Sequence, residues 1–326
     1  MIDYSPLASL AVTLLALLLL LKGRLAKFAL DQPNQRSLHT VSVPRTGGLA
    51  ILCGIAAGWA MSFQAQLIPF AAFAGLLAVV SFFDDLFGLP VAWRFLAHIA
   101  AAAGLTAWLL WPGAGYVAML LVVLCIVWMI NLYNFMDGSD GLAGGMACFG
   151  FAAYGIAAWL AGNAWLAMAN GSIVGAAAAF LLFNFHPAKV FMGDAGSIPL
   201  GFLAAAFGVL GWDLGYWPLW FPAAVFSPFI VDATVTLLKR LLRGEKVWHA
   251  HREHYYQRLV QSGCGHRRTA LFEYALMAAC GIAGLWALKL DAAGRSAMLL
   301  AGCGVYFLLM FTVDRRWALK KHAPTQ

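Results

Sequence analysis

Charge is what this sequence has least of. Its 326 residues hold 14 Asp and Glu and 21 Lys and Arg, 11% in all, against 63% apolar residues and a mean hydropathy of +0.79. A soluble domain averages about 25% charged and about 45–50% apolar residues. There is too little polar surface here to coat a water-facing globule. A soluble enzyme, a disordered chain and a nucleic-acid-binding module are excluded, and no nucleic-acid partner is expected. Cysteine is sparse as well: of six, five lie in apolar runs and Cys264 in a polar one, with no metal-ligand spacing. In a reducing compartment no disulfide is expected. The chain also lacks low-complexity segments, a second polar domain and the internal repeats of many transporters.

What it has is long apolar runs. One bilayer crossing takes about 20 apolar residues. Eleven runs qualify, near 4–21, 47–64, 67–83, 95–111, 116–134, 142–161, 164–185, 196–211, 217–238, 269–288 and 296–313. They are too long, and alternate too little, for the strands of a membrane β-barrel. The expected fold is therefore an all-α polytopic membrane protein of about 11 transmembrane helices, a single domain over residues 1–326. The first run has Lys22, Arg24 and Lys27 behind it and no basic residue ahead. A secretory signal has the reverse arrangement, so this run reads as a retained helix. Dense glycine (33 residues) suits close packing of such helices.

The basic residues fall on one face of this map. Five lie in 22–46, eight in 239–268 and four after 313; Arg94 and Lys189 sit in two further loops on the same side. That places 19 of 21 on one face, with only Lys289 and Arg295 opposite. Positive residues mark the cytoplasmic side. The N-terminus is then on the outer side of the membrane and the C-terminus on the cytoplasmic side.

Five aspartates collect on that same face. A carboxylate at membrane depth costs at least about 2.5–3.5 kcal/mol, so it is seldom kept without a use. Asp84 and Asp85 end an apolar helix side by side, pointing about 100° apart. In NLYNFMDGSDGL (131–142), Asn131, Asn134 and Asp137 recur every third residue and form a polar stripe. Gly138 then lets backbone approach a ligand. Asp140 reads equally as a functional carboxylate or as the N-cap of the next helix. Asp194 stands between two glycines at the mouth of another helix, a place that suits phosphate or a Mg²⁺ held by one or two carboxylates and phosphate oxygens. The loop 239–268 carries His249, His251, His254, Arg252 and Arg258 among aromatics. Zinc would need a fourth ligand that is not well placed. A diphosphate-and-sugar binder fits this loop better, with contact to anionic lipid as the plainer reading. Trp111, Tyr116 and Trp217 read as interfacial anchors, and His98 and Glu273 as helix-end residues paired locally. Asp232, inside the ninth run, calls for a partner, which the catalytic cluster would supply. Together these elements point to phosphoryl transfer from a soluble nucleotide-activated group to a lipid phosphate, work that asks mainly for positioning and electrostatics.

Five segments resemble the bacterial polyprenyl-phosphate N-acetylhexosamine-1-phosphate transferases, a glycosyltransferase 4-like family: SVPRTGGLAI (42–51), FFDDLFG (82–88), NLYNFMDGSDGLAGG (131–145), FMGDAGSIPLGF (191–202) and SPFIVDATVTLLKRLLRGE (227–245). The resemblance covers nearly the whole chain. It implies a multi-span helical enzyme that uses Mg²⁺, with Mn²⁺ as a substitute. Such an enzyme moves a sugar 1-phosphate from a UDP-N-acetylated sugar to undecaprenyl phosphate and releases UMP, with direct attack favoured over a covalent intermediate. By this likeness Asp84, Asp85, Asp137 and Asp140 are catalytic and Asp194 and Asp85 hold the metal. Asn131, Asn134, Lys189, His249, His251, Arg252, His254 and Arg258 contact substrate. A homodimer is compatible with it.

The loop departs from the pattern of the UDP-N-acetylglucosamine enzymes, Asp-Arg-x-His-x-His-His. Here it reads His251, Arg252, Glu253, His254, Tyr255, Tyr256, Gln257. That looks more like the branch priming O-antigen or capsule repeats with other sugars. Gly88 stands where the muramoyl-pentapeptide transferase of peptidoglycan synthesis has lysine, which argues against that rival. An ion-coupled transporter would put carboxylates near mid-membrane, and a CDP-alcohol phosphotransferase would need an arginine in the DGSDG segment.

Overall fold

The computed structural model describes residues 3–22, 30–31, 42–247, 249 and 251–322, without the side chains of the last two. Arg24, Lys27 and Arg36, counted above among the basic residues, lie outside the described residues. The chain is helical almost throughout: α1 (Ser5–Lys22), α2 (Gly47–Met61), α3 (Ile68–Phe87), α4 (Val91–Leu110), α5 (Tyr116–Phe135), α6 (Leu142–Leu160), α7 (Ala164–Asn184), α8 (Asp194–Asp213), α9 (Trp220–Val225), α10 (Ser227–Leu242), α11 (Tyr255–Leu259), α12 (Gly265–Ala287) and α13 (Ala292–His322). The only strands among the described residues, β1 (Leu30–Asp31) and β2 (Val43–Pro44), pair antiparallel.

Nine helices among the described residues are long and apolar enough to cross a membrane. Two of the eleven expected spans differ. The second is a helix of 15 residues, Gly47–Met61. The ninth breaks at Phe226 into α9 and α10. Pro228, lacking an N–H, starts a helix well at its first positions but cannot continue one, and the chain restarts there. The loop expected over 239–268 is partly helical too, because α11, a π-turn and the start of α12 fall inside it. The last helix runs to His322, past the expected end near 313. Basic residues such as Arg315 and Lys320 are good helix formers, so it outlasts its apolar part. Arg94, placed in a loop from sequence, sits in the first turn of α4.

α8 is the centre of the bundle and is buried along nearly all its length, whereas α13 lies exposed on the outside. Small residues permit the close approaches. A Cβ at Gly48 would strike the backbone of Gly196, and one at Gly175 the carbonyl of Pro6. Two buried donors find backbone partners on other helices, as lipid favours: Trp59 Nε1 donates to the Ala169 carbonyl (3.0 Å) and the Tyr154 hydroxyl to that of Ala204 (3.0 Å). Glu273 and His98, expected at helix ends, are instead within α12 and α4, where Asn131 Nδ2 lies 3.5 Å from His98 Nδ1.

Candidate active site at one end of the bundle

Four segments converge at one end of the helix bundle. The start of α2 is stitched to the turn before α8: Gly47 N donates to the Phe191 carbonyl (2.9 Å), Gly48 N to Met192 (2.8 Å), and Phe191 N to Pro44 (2.8 Å). Gly193, at φ 71°, closes on the Arg45 carbonyl and lets α8 begin with Asp194. The end of α5 joins this turn through Asn134, whose amide donates to Asp194 Oδ1 and to Ser197 Oγ, both at 2.9 Å. The α3–α4 corner joins through Arg94, which lies 2.7 Å from Asp84 Oδ2 and 3.9 Å from Asp194 Oδ2.

The adjacent aspartates are thereby made unequal. Asp84 accepts from Arg94 and from Leu89 N (2.8 Å) and is a held residue. Asp85 is exposed and has no hydrogen bond or ion pair among the described residues. Its charged neighbours are Asp194, Arg45, Asp84 and Asp31. Arg45 is itself paired with Asp31 at 2.6 Å.

Asp137, in the turn after α5, has its pKa well above the usual carboxylate range. Burial is the first cause and the Asp194 charge the second, while Arg45 and the Gly193 N–H pull the other way. Asp85 and Asp137 thus share Asp194 as a like-charged neighbour and Arg45 as a counter-charge. Among the described residues no three His, Cys, Asp or Glu side chains stand close enough to hold a metal unaided. Crowded carboxylate oxygens of this kind fit a Mg²⁺ ion that takes its remaining ligands from substrate phosphate and water.

Asp140 belongs to a second group. It does not cap α6, whose N-cap is Gly141. Its carboxylate instead faces His186 Nδ1 (2.6 Å) and accepts from Ala188 N (3.2 Å). His266 Nδ1 lies 4.0 Å from Asp140 and 2.8 Å from Ser139 Oγ, with its ring stacked on His186. Asn131 donates to the Val127 carbonyl (2.7 Å) of its own helix, and Lys189 is exposed in the turn before α8.

The loop histidines and arginines form the third group. His254 is buried, stacked between Phe135 and Tyr256, with the His251 ring 4.8 Å away. Burial, then the His254 and Arg240 charges, lower His251 to about 4, so it is neutral at neutral pH. His249 is exposed and Arg252 half-buried. The Arg258 guanidinium is committed inward, to Asp314 (2.7 Å) and the Glu253 carbonyl (2.7 Å). This loop reaches the first group through Tyr256, whose hydroxyl donates to the Phe135 carbonyl (3.1 Å) beside Asp137. Asp232 has its partner here rather than in the carboxylate cluster, at the start of α11. Arg94, His186 and His266 carried no signal in the sequence beyond being polar residues near the motifs.

Comparison with known proteins accords with this geometry. The pattern of glycosyl transferase family 4 matches residues 67–211, which include the Asp84, Asn134 and Asp194 elements. Over that stretch the chain is similar to the family. It is 29% identical over 265 residues to a probable undecaprenyl-phosphate N-acetylglucosaminyl 1-phosphate transferase of Bacillus subtilis, covering 76% of this chain and 74% of that one. It is 28% identical over 320 residues to the undecaprenyl-phosphate alpha-N-acetylglucosaminyl 1-phosphate transferase of Escherichia coli K12, covering 89% and 85%. A decaprenyl-phosphate N-acetylglucosaminephosphotransferase of Mycobacterium tuberculosis H37Rv is 28% identical over 292 residues, covering 76% and 72%.

Proposed function

We propose that this protein transfers a sugar 1-phosphate from a UDP-N-acetylated sugar to undecaprenyl phosphate. The observation that carries the reading is the hub at Asp194, which Asn134 and Arg94 reach and whose charge is felt by the nearby carboxylates of Asp85 and Asp137. An oxygen of the lipid phosphate attacks the sugar-bearing phosphorus, the bond between the two phosphates breaks, and UMP leaves. The product is undecaprenyl-diphospho-sugar.

The division of labour follows from the geometry. Arg94 holds Asp84 in place, so Asp85 is the free carboxylate of the pair and is the group set to take a proton from the lipid phosphate. A phosphate monoester has its second pKa near 6, so little base catalysis is needed at neutral pH, and direct attack suffices. Asp85 and Asp194 are the residues to hold Mg²⁺, which when bound offsets charge on the leaving phosphate. Arg45 and Arg94 supply fixed positive charge beside the diphosphate, and Asn134 orients Asp194.

The site end is the basic end. Lys189, Arg94 and the loop after α10 gather there, while Lys289, between α12 and α13, and Arg295, in the first turn of α13, lie at the other. This supports a cytoplasmic site in the bacterial inner membrane. The sugar is set by the loop, and Tyr256 and Gln257 standing where histidines are expected supports an O-antigen or capsule priming role.

The test is direct. Purified protein is incubated with undecaprenyl phosphate, Mg²⁺ and a panel of UDP-N-acetylated sugars, and UMP release is measured. Turnover with one sugar, lost with EDTA and lost in Asp194→Asn, is the expected result. No UMP from any sugar, or full turnover in Asp194→Asn, sinks the reading.

A further inference from the structure

Asp232 lies in α10 and is 5% exposed. A buried carboxylate persists only if its oxygens are satisfied, and those of Asp232 are satisfied by one place in the fold. Oδ1 accepts from Tyr255 N (2.8 Å), Thr236 Oγ1 (3.1 Å) and His254 Nδ1 (3.2 Å), and Oδ2 accepts from Tyr256 N (2.9 Å). The first two N–H groups of α11 are thus capped by a side chain from another helix. An anion at a helix start is favoured by the unpaired N–H groups and the helix dipole.

Two consequences run from this cap toward the carboxylate cluster. Tyr256 is held so that its hydroxyl meets the Phe135 carbonyl, beside Asp137. The fit leaves no space for a side chain at Gly138, whose Cβ would strike that hydroxyl. His254 is held by its Nδ1 between the rings of Phe135 and Tyr256. A carboxylate only accepts hydrogen bonds, so Nδ1 carries the proton. Nε2 has no partner among the described residues and is the nitrogen left for a substrate oxygen.

We propose that Asp232 is a positioning residue: it fixes the tautomer and ring of His254 and seats α11 against the 135–138 turn, so that the loop presents Nε2 of His254 to the diphosphate of the sugar nucleotide. This rests on the transferase reading given above. Asp232 touches no reacting atom and acts through His254 and Tyr256. Outer partners of this kind typically change activity by about 10–100-fold when removed.

The experiment has two arms. The first measures UMP release from UDP-N-acetylglucosamine, and from the other sugars of the panel, in Asp232→Asn, His254→Gln and the double variant. Asp232→Asn is expected to lower kcat/KM by about tenfold or more. The double variant should be no worse than the poorer single, because both changes remove one unit. Losses that multiply, or Asp232→Asn within about twofold of the unchanged enzyme, overturn the proposal. The second arm needs no turnover and no variant that folds poorly. Nitrogen-15 NMR of histidine-labelled protein, with His254 assigned by its loss in His254→Gln, should show Nδ1 protonated. An Nε2-protonated His254 overturns the proposal whatever the activity. If no sugar turns over in the unchanged enzyme the transferase reading fails, and the NMR arm still decides the seating of His254.

Discussion

The side-chain amide of Asn134 donates to the Asp194 carboxylate across 2.9 Å, bridging two residues 60 positions apart. Its second N–H is used by Ser197. Asn134→Asp replaces that donor by a charge repelled by Asp194, so turnover should fall by about 100-fold and further than in Asn134→Ala. UMP release at saturating substrate checks this, and raised Mg²⁺ should recover part of the Asn134→Asp loss.

Arg94 is a clamp on Asp84. Arg94→Gln should cost about 10–100-fold in turnover, and Arg94→Lys should recover only part, because an ammonium lacks the planar fork of a guanidinium. The same steady-state assay separates the two.

The unequal pair Asp84 and Asp85 makes a third prediction. Asp85→Asn breaks no hydrogen bond, so its thermal stability should stay within about 0.5 kcal/mol of the unchanged protein while turnover falls by about 100-fold or more. Asp84→Asn should lower both, because it removes the close partner of Arg94 at 2.7 Å and leaves it only Asp194 at 3.9 Å. Melting in detergent, read beside UMP release, distinguishes these patterns.

Gly48 touches Gly196 backbone to backbone, and neither chain can yield. Gly48→Ala should destabilise the protein by several kcal/mol or prevent folding. Gly75→Ala is the control, since a Cβ there meets nothing within 4 Å and alanine favours the helix by about 0.8–1 kcal/mol. Yield and melting temperature in detergent give the comparison.

His251 titrates near pH 4, below its ordinary 6.5. As pH falls below about 6.5 the unfolded chain takes up this proton before the folded one does. The folded state therefore loses stability from about 6.5 down to about 4, and regains it as pH rises. His251→Asn should flatten this part of the melting temperature against pH curve, and an unchanged slope would count against the assignment.

The sequence was most legible where physical demands were local. Span length and hydropathy placed the long helices, and the aspartates in FFDDLFG, NLYNFMDGSDGL and FMGDAG marked the site before any coordinates. It was least legible where partners come from distant elements. Nothing near Asp232 says that it caps a helix beginning 23 residues later, and nothing near Asp314 says that it neutralises Lys239 and Arg258. Asp140 shows the limit of local rules: a helix starts beside it, yet its side chain turns to His186 and His266. The ninth span misled because hydropathy cannot see a proline restart, although Pro228 was in plain view.

α8 carries Asp194 at its tip and is packed by protein along nearly all its length. Such a helix cannot swing or slide without dismantling its surroundings. Asp194 is therefore a stationary anvil, and both the water-borne donor and the membrane-borne acceptor have to travel to it. Approach is open only from the tip, since the flanks are sealed. Two substrates from different phases are thus obliged to meet at one point.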